Sequence, residues 1–202
     1  MEYLLALLCI PLAGGAVLGV IGHRDRAPEI NVAFSFATLV AAGALTVQII
    51  ANGPMLVLDK QFFVDSLNVF LVALTAFVAF TTALFARPYM RIERDNGKMT
   101  PPRMRLFHSM YQMFTFTMLL ALLTNNLGLL WVAMEAATLT TVLLVAVYRT
   151  PASLEAAWKY FILCGVGIAQ ALFGTILLYL AAERAIGSEG VGLLWTQLAA
   201  AK

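Results

Sequence analysis

The chain reads as a succession of long apolar runs separated by short polar connections. Six runs, at approximately 3–22, 30–51, 64–86, 107–124, 127–148 and 156–182, stand out, and a helix of roughly 20 residues crosses the ~30 Å hydrocarbon core of a bilayer. Strands of a membrane barrel would be about 10 residues long and would alternate apolar with polar positions. These runs do not alternate, so the pattern predicts helices. The expected architecture is all-α, a polytopic membrane protein with one transmembrane helical domain over residues 1–202.

The connections refine this picture. His23-Arg24-Asp25-Arg26-Ala27-Pro28 is a tight polar turn, and Thr150-Pro151 has the form of an N-cap followed by proline in the first helical turn. In 53–63 a Gly-Pro turn precedes two short apolar stretches separated by Asp59-Lys60, which predicts a short hairpin lying at the membrane surface. The longest polar piece, 87–105, holds six Lys/Arg. Loops after the first, third and fifth helices hold nine Lys/Arg (Arg24, Arg26, those six and Arg149), against three on the other side (Lys60, Arg184, Lys202), with Lys159 uncounted inside a helix. That asymmetry predicts that the odd loops are cytoplasmic, with the hairpin and both termini outside.

Composition agrees with the class. Hydrophobic residues make up 61% of the chain and charged residues 12%, about half the charged share of a soluble domain. A net charge of +2, with the basic residues gathered in one loop, gives no ground for nucleic-acid binding. Cys9 and Cys164 each lie inside an apolar segment without CxxC or Cys/His spacing, so neither a disulfide framework nor a zinc site is indicated. The first run follows Met-Glu with no basic segment before it, which favours a membrane helix over a cleaved signal peptide. His23 and His108 both lie at basic-loop helix ends and would match in depth only loosely, which argues against a bis-His haem. No phosphate loop, nucleophile elbow or metal-ligand cluster is present, so no cofactor, metal site or catalytic residue is expected.

Glu135 is the residue that demands a reason. Between Asn126 and Arg149, at 1.5 Å per residue, it falls about 4 Å from the bilayer centre. An ionisable group there costs at least a few kcal/mol, and it usually faces the bundle and marks a proton or ion path. Two readings stay open: a proton carrier, or a protonated acid that only hydrogen-bonds a neighbouring helix. Thr138 shares its face and could support it, and Trp131 lies one turn before it. Lys159 falls about 12 Å to the cytoplasmic side of the midplane, within reach of snorkelling, with Glu155 one turn earlier as a potential partner. On the functional reading, Lys159, Leu163, Val166 and Gln170 share one face and carry polarity toward mid-membrane. The axial gap from Lys159 to Glu135 is roughly 16 Å by the same rise, too long for direct contact.

Three segments carry a resemblance to a known family. NNLGLLWVAMEA (125–136), SLEAAWKY (153–160) and FVDSLN (63–68) resemble the antiporter-like subunits shared by respiratory complex I, Mrp-type cation/proton antiporters and membrane-bound hydrogenases. The nearest likeness is to the F-type membrane component of hydrogenase-4 and formate hydrogenlyase. The resemblance implies that Glu135 matches a fifth-helix glutamate of the proton path and Lys159 a lysine near the start of the sixth helix. It also implies an N-terminus outside and an external hairpin after the second helix, as the charge count does.

Subunits of that family continue beyond six helices, and the glutamate's basic partner sits on a broken seventh. The resemblance therefore implies other membrane subunits as partners, including a chain that supplies the further helices, unless this is a reduced form that kept the fold. Peripheral redox or other catalytic subunits, and the inner membrane of a prokaryote, follow from the same likeness. The alternative function is an anchoring subunit of such a complex without proton conduction of its own.

Overall fold

A computed structural model of the chain describes residues 2–186 and 192–200; Lys202, counted in the charge asymmetry, lies outside them. In chain order the elements are α1 (Glu2–Ile21), α2 (Ala27–Asn52), β1 (Met55–Val57), β2 (Phe62–Val64), α3 (Ser66–Asp95), α4 (Pro101–Leu123), α5 (Leu127–Val145), a 3-10 turn (Ala146–Tyr148), α6 (Pro151–Ile186) and α7 (Trp195–Ala200). The six long apolar helices are α1 to α6. A helix satisfies its backbone N–H and C=O groups internally, which is what lipid demands. The protein is therefore a multi-pass α-helical membrane protein.

Successive helices run antiparallel, so connections alternate between two ends. One end carries the turn before α2, the α3–α4 turn and the α5–α6 link; the other carries the hairpin and the α4–α5 junction. We call these the basic end and the hairpin end. α4 is central and packs against α1, α2, α3 and α5, whereas α6 packs on α5 and the 3-10 turn.

Helix boundaries depart from the apolar runs mainly at the basic end. α3 continues to Asp95 and α4 begins at Pro101, so most of the basic stretch 87–105 is helix. Arg, Glu and Met keep good helix propensity after the hydrophobicity stops. Ion pairs hold the extension: Arg87 (3.2 Å) and Arg91 both reach Glu29 of α2, and Arg94 reaches Asp25 at 2.8 Å. The chain then turns through Gly97, whose φ of 74° suits glycine. α6 likewise begins at Pro151, five residues before its apolar run. Thr150 Oγ1 accepts the Ser153 N–H at 3.2 Å and Ser153 Oγ accepts the Thr150 N–H at 3.0 Å, a reciprocal cap.

At the hairpin end, β1 and β2 pair antiparallel, with Leu56 opposite Phe63. The connecting residues Leu58, Asp59 and Lys60 all have left-handed φ of 51–68°, each costing about 1–2 kcal/mol for an L-residue. Docking offsets that cost. Asn125 donates its backbone N–H to the Gln61 carbonyl at 2.7 Å and its side-chain Nδ2 to the Lys60 carbonyl at 2.8 Å and to Thr196 Oγ1 at 2.9 Å. Its Oδ1 accepts the Thr196 N–H at 3.1 Å. Asn126 caps α5 by accepting from the Gly128 and Leu129 N–H groups and donates to Gln61 Oε1 at 2.7 Å. The paired asparagines thus bind the hairpin, the start of α5 and α7 into one bracket. Beneath it lies an apolar cluster that includes Leu4, Leu7, Leu45, Val64, Leu119 and Leu123.

Asn125→Ala removes three side-chain hydrogen bonds and strands buried backbone groups, so it should destabilise the chain by about 2–4 kcal/mol. Thermal unfolding in detergent measures the loss, and amide exchange at Gln61 and Phe62 should quicken before that of α1 or α4. Unchanged melting would show that the bracket carries no stability.

Candidate functional site

Glu135 stands on α5, half-buried, on the face it shares with Trp131, Thr138 and Val142. It has no hydrogen-bond or ion-pair partner among the described residues. Thr138 does not supply one, because its hydroxyl donates to the Met134 carbonyl at 3.1 Å, the local satisfaction that hydroxyls in membrane helices favour.

Two cross-links fix how α6 lies on α5. Trp131 Nε1 donates to the Ile168 carbonyl at 2.8 Å, and the Thr141 and Tyr160 hydroxyls meet at 3.0 Å. In this antiparallel register Glu135 lies level with Cys164 and Gly165, so Lys159 is about six residues, or roughly 9 Å, away along the axis. The gap is shorter than depth alone predicts because α6, with 36 residues against 19 in α5, overshoots α5 at the hairpin end. The helix midpoints are therefore not level.

Axial closeness does not bring the side chains together. The less exposed stripe of α6, through Ala157, Phe161, Cys164, Ile168 and Leu172, is turned to α5. Lys159 and Gln170 are exposed on the face that also presents Leu163 and Val166. Lys159 pairs with Glu155 at 2.5 Å, with the two side chains 71% and 65% exposed. A cleft of about 430 Å³ between α5 and α6 is lined by apolar side chains such as Leu139, Val142, Trp158 and Phe161 and offers no group for chemistry. Among the described residues no group of three His, Cys, Asp or Glu could hold a metal ion.

A second polar group was not foreseen from the sequence. Asn31, Ser35 and Thr38 on α2, and His108, Gln112 and Thr115 on α4, are each at most 2% exposed. In both helices the spacing is four then three, which places each trio on one face. The faces meet: Gln112 Nε2 donates to Asn31 Oδ1 at 2.8 Å and lies 3.0 Å from Ser35 Oγ. Averaging hydropathy along a run conceals such a row, whereas the repeated four-three spacing of polar residues would have revealed it.

The fold and Glu135 together define a polytopic membrane protein whose fifth helix carries a carboxyl group unpaired among the described residues. Residues 124–188 match the family described as NADH:quinone oxidoreductase/Mrp antiporter, transmembrane region. A protein of Methylacidiphilum infernorum named hydrogenase-4 component F homolog is 46% identical over 193 residues, 96% of this chain and 39% of that protein. NADH-quinone oxidoreductase subunit L of Neisseria meningitidis is 24% identical, over 89% of this chain and 30% of the relative. Among solved structures, a chain of the membrane-bound sulfane sulfur reductase, an archaeal respiratory membrane complex, superposes with a TM-score of 0.75. It does so at 18% identity, over 98% of this chain and 42% of that one, which establishes the shared fold. The chain belongs to the antiporter-like family of membrane subunits, and it spans about two fifths of the length of the first of these relatives.

Trp131→Phe keeps the packing of the ring and removes the donor to Ile168. Losing one such bond, about 1 kcal/mol, should speed amide exchange in the middle of α6 about fivefold and leave α1 and α4 unchanged. Equal protection in wild type and variant would show that this bond does not hold α6.

Proposed function

We propose that the chain is a membrane subunit of a proton-translocating complex of the hydrogenase-4 and complex I kind, and that Glu135 is part of its proton path. The observation that carries this reading is a carboxyl group in a membrane-spanning helix with no partner inside the described residues. Such a group is expensive and is kept where it moves protons or meets a charge. The charge it would meet must then come from another helix. The uncovered face of α6, with Lys159 and Gln170, gives further helices a surface to pack on. The names of the relatives, a hydrogenase-4 component and NADH-quinone oxidoreductase subunits, support the same assignment.

On this reading the partners are other membrane subunits, together with peripheral redox or other catalytic subunits. The site is the inner membrane of a prokaryote, with the basic end cytoplasmic and the N-terminus outside, as the nine-to-three distribution of Lys/Arg indicates. A second reading, an anchoring subunit, draws on the Lys159–Glu155 pair, which is the arrangement a snorkelling lysine needs without any transport role.

Orientation is tested with single cysteines at Asp95 and Asp59 in a background lacking Cys9 and Cys164. An impermeant thiol reagent added to whole cells should label Asp59→Cys and spare Asp95→Cys; the reverse would invert the topology.

Function is tested at Glu135. Glutamine keeps the shape and the hydrogen-bonding capacity but cannot ionise. Glu135→Gln should therefore assemble normally on a native gel and lose most proton uptake by inverted vesicles, at least tenfold. If the carboxyl is only a packing acid, glutamine is nearly silent while Glu135→Ala, which leaves a cavity, weakens assembly. Wild-type uptake with glutamine at 135 would remove this residue from the path.

A further inference from the structure

We propose that the polar row between α2 and α4 is a hydrated proton inlet, open at the basic end beside Glu29, centred on His108, and closed toward the hairpin end. The inference builds on the proton-translocating reading but stands on a different set of residues.

The row contains more polar atoms than its own contacts satisfy. Both ring nitrogens of His108, Oε1 of Gln112 and Oε2 of Glu29 are shut off from solvent around the protein and have no protein partner. His108 and Gln112 lie one turn apart on the same face of α4, and Glu29 is close enough to the imidazole to act on it electrostatically. An edge-on contact with Phe107, centroids 5.2 Å apart, holds the ring but satisfies neither nitrogen. Leaving a buried donor or acceptor unmet costs about 1–3 kcal/mol, and the usual remedy is internal water, each molecule making about three hydrogen bonds. The chemistry of the four atoms suits water: a neutral imidazole offers one donor and one acceptor, and the amide and carboxylate oxygens accept.

The row is one-sided. Past Thr38 and Thr115, the same two faces continue as Ala42, Leu45 and Ile49 on α2 and Leu119 and Leu123 on α4, all buried. These belong to the apolar cluster under the hairpin, and the unpartnered Oε1 of Gln48 beside it on α2 is off the Thr38–Ala42–Leu45–Ile49 face that continues the row. At the basic end the Glu29 side chain is partly exposed and is held by Arg87 and Arg91 of α3. No other described group competes for His108. Tyr111 turns its hydroxyl to the Ala79 carbonyl at 2.5 Å, and α1 offers α4 the glycines 15 and 19. A proton arriving at the Glu29 carboxylate can pass through water to the free imidazole nitrogen, making an imidazolium, and the opposite ring nitrogen then gives its proton to water at Gln112 Oε1.

The chain has only two histidines, so in His23→Gln a ¹⁵N-histidine label reports His108 alone. In lipid bilayers, solid-state NMR of the full chain should show a water cross-signal at the His108 ring and exchange of its N–H in D₂O within minutes. A ring without that signal that keeps its protium for a day would overturn the proposal. In the native complex His108→Gln should assemble and lower proton uptake at least fivefold. Undiminished uptake in this variant, where Glu135→Gln is inactive, would overturn the inlet and leave the role of Glu135 standing; undiminished uptake in both would overturn both. Should His108→Gln fail to assemble, Glu29→Gln at the mouth is read by the same criterion.

Discussion

Inside a bilayer no polar group can be left to bulk water, and the whole molecule is arranged around that constraint. Long helices meet it for the backbone. Where α4 stops and α5 has not begun, the chain must turn without exposing bare amides to lipid, and Asn125 and Asn126 assume the duty. They do so by drawing in the hairpin and α7, so that residues far apart in sequence satisfy one another. The left-handed residues at the hairpin tip are tolerated because this docking fixes them.

The two polar systems in the helices meet the same constraint in opposite ways. The α2–α4 row is enclosed by its own chain, with Gln112 bonded across to Asn31 and Ser35. Glu135 sits on the outer pair of helices, with α6 turning Lys159 away from it toward an uncovered face. One system lies inside the fold, while the other stands at the α5–α6 seam with an uncovered face of α6 beside it.

Much of this could be read from the residues, and the failures have physical reasons. The six spans follow from hydropathy because lipid filters for it directly. The cap at Thr150 and the hairpin follow from local chemistry that needs no tertiary context. The continuation of α3 to Asp95 was hidden because hydrophobicity and helix propensity separate where a helix leaves the hydrocarbon, and cross-helix pairs such as Arg94–Asp25 cannot be seen in a linear chain. Glu135 was conspicuous as a lone charge. His108 and Asn31 were not, because each lies near the end of an apolar run, where polar residues are ordinary. Only their facing partners make them unusual.

The seam between α1 and α4 bears on how the protein is made. Gly15 accepts the Ser109 hydroxyl on its carbonyl at 2.8 Å, and a Cβ on Gly15 would lie 2.8 Å from the Met113 sulfur, so the two helices approach closely there and the flexible Met113 side chain fills the space beside the glycine. Nearly a hundred residues separate the two sides of that seam. At translation speeds of about 5–20 residues per second, α1 waits on the order of 5–20 seconds for its mate. During that interval α2 and α3 can pair with each other, but the glycine face of α1 is bare, so the nascent chain passes through a vulnerable stage whose length is set by the ribosome.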